Sequence, residues 1–204
     1  MRKRAVKKAP ACVSKRTAGS CRRTDAYDDS PKTLAQVVSQ YKRYYAKGGG
    51  RERKFYANQP DIDTAIKLAA NARIASGKRH PHHYRRSAAT LKRVHAKLKL
   101  YDLELCCDFD ELHDAITEAI GDIHEVGPLL IYDTAQCIGW YLELEPERVY
   151  LHSGTRAGAY ALGLGHGRDT IEVNELPKPF RRLTASQIED CLCIYKTELE
   201  NICG

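Results

Sequence analysis

The 204-residue chain contains no apolar stretch long enough to cross a bilayer. A spanning helix needs about 18 or more apolar residues, and the best candidate, Val126 to Leu144, is interrupted by Asp133 and Gln136. The N-terminus lacks the apolar core of a secretory signal. Neither membrane insertion nor secretion is expected; the expected location is intracellular, in the cytoplasm, nucleoid or nucleus. Cysteine is present but never as CxxC, its eight copies falling at 12, 21, 106, 107, 137, 191, 193 and 203. That spacing disfavours a zinc ribbon, and without a signal peptide an even count is no argument for disulfides. Reduced, structural thiols are expected. No strand precedes Leu162-Gly-Leu-Gly-His-Gly167, so this segment is a connector rather than a dinucleotide loop. No internal repeat is visible, and no cofactor is implied.

What the chain has instead is a split in charge. Apolar residues make up 43% and charged residues 29%, the composition of a folded globular chain. Residues 31–100 carry seventeen Lys/Arg against three acids, whereas residues 101–204 carry seven against twenty. A basic half is joined to an acidic half, and the net charge of +7 conceals this. The arrangement suggests a face for a polyanion on the first half. Its alternative is that the two halves neutralise each other. Residues 1–29 hold nine Lys/Arg, no acid before Asp25 and almost no large apolar residue. This is an expected unfolded basic tail, either a phosphate-binding arm or a targeting address.

The remainder, 30–204, reads as a single, compact, mainly α domain of about six helices. Ser30 before Pro31 opens the first, with Leu34, Val37, Val38, Tyr41, Tyr44 and Tyr45 at helical spacing, and Lys47-Gly-Gly-Gly50 stops it. Arg51 to Pro60 reads as a basic loop. Asp61 caps a second helix that Gly77 ends. Next comes Lys78-Arg79-His80-Pro81-His82-His83-Tyr84-Arg85-Arg86. No Cys or carboxylate adjoins the three histidines and Pro81 interrupts them, so no metal is expected, and the segment reads as a phosphate-contacting loop. Ser87 caps a third helix with Leu91, Val94, Leu98 and Leu100 inward and Lys92, Arg93, Lys97 and Lys99 outward. A basic helix directly after a basic loop is the strongest nucleic-acid signal in the chain.

Asp108-x-x-Glu111 opens a fourth helix with a capping-box pattern. The turn Ile123-His-Glu-Val126-Gly127-Pro128 then leads into the apolar helix Leu129–Leu142. Over some thirty residues this resembles a helix-hairpin-helix element, the family whose glycine turn presents backbone amides to a DNA phosphate. Ile123, Val126, Gly127 and Pro128 match that pattern, while Glu125 stands in the place of its first glycine and no lysine follows Gly127. Tyr132-Asp133-Thr134 is similar to the Val-Asp-Thr segment of the helix-hairpin-helix DNA glycosylases, but the expected arginine and a lysine nucleophile are missing. Further on, Thr155 is the expected cap of a helix opening at Ser153-Gly154-Thr155-Arg156, where small residues leave room for an anion or for a close helix neighbour. Leu144 to His152 reads as a helical turn or extended segment, and Thr170-Ile-Glu-Val-Asn as the sole strand-like alternation. Thr184-x-x-Gln187 opens the last helix, ending near Ile202.

Three functions follow from these residues. The leading expectation is nucleic-acid binding, DNA in preference to RNA, through phosphate contacts from Lys78, Arg79, Arg85, Arg86, Lys92, Arg93, Gly127, Gly154, Thr155 and Arg156. The second is an enzyme acting on nucleic acid or a nucleotide, glycosylase- or hydrolase-like, with Asp133 and His152 as catalytic groups beside Arg156. The third is an interaction module whose basic half docks on an acidic protein.

Overall fold

The computed structural model describes residues 30–47 and 49–204; the basic tail at 1–29 lies outside them. Among the described residues there are nine α-helices rather than six: α1 (Leu34–Tyr44), α2 (Gly49–Ala57), α3 (Ile62–Ala70), α4 (Ala88–Leu98), α5 (Phe109–Ile120), α6 (Pro128–Leu142), α7 (Ser153–Ala161), α8 (Ala185–Ile194) and α9 (Lys196–Cys203). Two short strands, β1 (Arg148–Tyr150) and β2 (Thr170–Glu172), pair antiparallel with Val149 opposite Ile171.

Most caps fall where the side chains demand. Asp61, Ser87, Asp108 and Thr184 each accept an amide hydrogen bond from three residues ahead. Other expectations fail at this level. Thr33, not Ser30, caps α1, through its side chain and the Gln36 amide. Thr155 lies inside α7, which His152 precedes. The glycine run that was expected to end a helix instead begins α2. Burial of Tyr56, whose hydroxyl donates to Arg73 O at 2.6 Å, outweighs the poor helix propensity of Gly49 and Gly50. The second helix also stops earlier than Gly77, because Ala72 turns left-handed at φ 49°. The last predicted helix breaks at Tyr195 into α8 and α9. Leu100, expected to face inward, is exposed, because α4 ends at Leu98.

Side chains bury into two clusters. One gathers Tyr56, Ile66, Leu98, Leu112, Ile116 and Tyr132 from α2 to α6. The other gathers Val37, Tyr41, Phe180, Ile188, Leu192 and Leu199 from α1, α8, α9 and the connections around them. Helix α6 is the axis of the first: Leu130, Ile131, Tyr132, Thr134, Ala135, Ile138 and Gly139 are all buried, as expected of a helix apolar nearly all round. In the second, α7 lies directly on α8. A Cβ at Gly158 would come within 2.3 Å of Leu192 O, and one at Gly154 within 2.4 Å of Cys193 Sγ. The small residues of α7 thus serve close helix packing.

Candidate functional site: a histidine–carboxylate cleft beside a cationic helix

The loop between α3 and α4 is held from several directions. Arg79 donates to Arg86 O at 2.8 Å, Ile74 N donates to Lys78 O, and Ala75 N donates to a carboxylate oxygen of Glu52 at 2.7 Å. Pro81 opens a single 3-10 turn, Pro81–His83, where its fixed φ is compatible with helical geometry. This compact turn brings three imidazoles onto one face, with the His80 and His82 rings 4.6 Å apart and His80 and His83 5.8 Å apart.

All three meet a single carboxylate, Asp133 on α6. His83, fully buried, makes a 2.7 Å hydrogen bond from Nε2 to Asp133 Oδ2. The Nδ1 atoms of His82 and His80 lie 3.8 and 4.0 Å from the same oxygen. Burial works to raise the Asp133 pKa, yet the imidazoles of His82 and His83 hold it down at about 2. Burial lowers His80, and the Asp133 carboxylate raises His82. No carboxylate adjoins these histidines along the chain; the fold supplies one from fifty residues away.

Asp133 also lines a cleft of about 560 Å³ between α2 and α6 on one side and α1 and α8 on the other. The opposite wall carries Tyr41, Glu189 and Asp190. Asp190 is open to cleft water but closely surrounded; enclosure, and then the neighbouring Glu189, raise its pKa to about 6. Glu189 is anchored from behind, bonded to His152 Nε2 and accepting 2.8 Å from Thr155 Oγ1. Glu189 and Asp190 were invisible to sequence reasoning because they sit on an amphipathic helix like any surface acid.

The residues expected to act together are distributed as follows. Asp133 faces the histidines and the cleft, whereas His152 is buried behind Glu189. Arg156 is engaged elsewhere, donating to Leu151 O, Arg168 O and Asp169. The Gly154 turn is packed on Cys193, with Thr155 fully buried. Arg79 serves as the strap of its own loop. The cationic helix is different. Lys78, Arg85, Lys92 and Arg93 are exposed, and none has a carboxylate within ion-pair distance among the described residues; only Lys97 of α4 pairs, with Asp122 at 2.7 Å. Arg86 is half-buried and likewise without an ion pair.

The hairpin turn before α6 sits against the start of that helix. Glu125, at φ 74°, occupies a left-handed conformation that glycine adopts most readily. Its carboxylate does not face outward but accepts from Thr90 Oγ1 at 2.6 Å and Ser87 N at 3.3 Å. Gly127 then caps α6 with extended backbone and no atom in the way of a Cβ.

No family model, curated protein or solved structure matches the chain. Among the described residues no helix is long and apolar enough to cross a membrane.

Proposed function

We propose that the chain binds the phosphate backbone of nucleic acid, DNA in preference to RNA, along the exposed side of α4, the loop before it and the turn at Gly127. One observation carries this reading. Glu125 fastens the hairpin turn to the first turn of α4, beside cations that form no ion pairs. An acidic half of twenty carboxylates has left this surface uncompensated, which is the electrostatic condition for counterion release on a polyanion. The preference for DNA rests on the helix-hairpin-helix resemblance of residues 108–142.

The test is binding of duplex DNA and of structured RNA across a salt series. Affinity for duplex is expected to fall with rising salt. Replacing Arg85, Arg86, Lys92 and Arg93 together by Ala should flatten the log–log slope by about 0.9 for each phosphate no longer neutralised. An affinity indifferent to salt, or a variant that binds as the parent does, overturns the reading.

A further inference from the structure

The geometry points to a divalent transition-metal site formed by one nitrogen each of His80 and His82 and a carboxylate oxygen of Asp133, with its open positions facing the cleft between α6 and α8.

The three donor atoms lie within 4.8 Å of one another. The separations from Asp133 Oδ2 to the two Nδ1 atoms, 4.0 and 3.8 Å, are too long for hydrogen bonds. They suit a shared ion. Bonds of about 2.0–2.2 Å at tetrahedral or wider angles hold two donors roughly 3.4–4 Å apart. His80 Nδ1 accepts only a weak 3.3 Å contact from the His82 amide, which an ion readily displaces.

The donor set selects the ion. Two imidazoles with one carboxylate favour zinc and its neighbours, cobalt, nickel, iron and manganese, over calcium or magnesium, which prefer all-oxygen shells. Three protein ligands are also the number that leaves room for water or a ligand oxygen. The surroundings hold the donors in place. His83 fixes the Asp133 carboxylate from the buried side, the outer hydrogen bond that ligating carboxylates commonly receive. Arg79 and Pro81 fix the turn that presents the two imidazoles.

Charge supports the same conclusion. Besides Asp133 the cleft is lined by Glu52, Glu145, Glu189 and Asp190, and its single lining Lys/Arg among the described residues, Arg53, is paired with Glu145 at 3.1 Å. A resident dication would offset this excess and would give the oxygen of an anionic ligand a partner in an otherwise repelling cleft.

The test uses the full chain without nucleic acid, so that its outcome is independent of the proposed binding function. Protein stripped with chelator is titrated with Zn²⁺ by calorimetry and with Co²⁺ by visible absorption, with excess Mg²⁺ present. One ion per chain is expected. Affinity should fall at least about tenfold in His80→Ala and in His82→Ala. His82 is about half exposed, so its variant should melt with the chelator-treated parent. His124→Ala, His166→Ala and Cys107→Ser, at exposed positions away from the cleft, should bind as the parent does. Absence of binding by the parent, or binding lost only in the three distant variants, overturns the assignment.

Discussion

His83 Nε2 and Asp133 Oδ2 are joined by a 2.7 Å hydrogen bond that links the α3–α4 loop to the middle of α6. The bond orients the carboxylate at the base of the cleft and holds down a buried imidazole. Removing the ring leaves an enclosed carboxylate without its nearest donor. His83→Ala is therefore expected to cost about 1.5–3 kcal/mol in urea unfolding, the range for hydrogen bonds to charged groups. A cost near zero would show that the loop is held by its other contacts, those of Arg79, Glu52 and Ile74.

Two glycines separate packing from surface roles. Gly158→Ala drives a Cβ into the backbone of α8, where only a shift of α7 relieves the clash. Overpacking of this kind costs about 1–3 kcal/mol, read as a lower urea midpoint. Gly127→Ala meets nothing within 4 Å and has an ordinary extended backbone, so the urea midpoint should hold.

Asp190 gives the cleft a pH-dependent stability. Its pKa rises from an ordinary 3.8 to about 6 in the folded chain, facing Tyr41 from α1, Glu189 on its own helix, Asp133 from α6 and His82 from the loop. A folded-state pKa above the unfolded one means that the native chain holds this proton more tightly. Stability from this group is thus present below about pH 4 and lost as pH climbs to about 6. Asp190→Asn should melt with the parent at pH 4 and above it at pH 7, by thermal denaturation in chelator. A gap of the opposite sign would place the Asp190 carboxylate in a stabilising contact.

The cationic helix yields a graded expectation. Arg85→Glu, Lys92→Glu and Arg93→Glu should each weaken duplex binding in low salt, with smaller effects in high salt as the charges are screened. Lys97→Glu should do less, because Asp122 already engages that ammonium. Equal effects at all salt levels would indicate that these side chains act through shape instead.

Much of the helical framework was legible locally. Asp61, Ser87, Asp108 and Thr184 announced their helices through short side chains that satisfy the first free amides, and the apolar spacing of Leu91, Val94 and Leu98 chose the buried face of α4. What was missed depends on distant partners. Gly49 to Ala57 is helical because Tyr56 finds a core and a carbonyl seventeen residues on. Strand β1, only three residues long, leaves no period of its own, whereas the alternation at Thr170-Ile171-Glu172 marked its partner β2. The cleft was the least legible part. No local pattern marks that Asp133, in an apolar helix, will meet three histidines from one loop, or that Glu189 will be backed by His152.

The cleft runs between two separately packed interiors, with the histidines and Asp133 on one bank and Glu189 and Asp190 on the other. A bound species that touched both banks would act as a rivet between them. Its presence would be recorded far from the histidines, as two halves that melt more nearly as one.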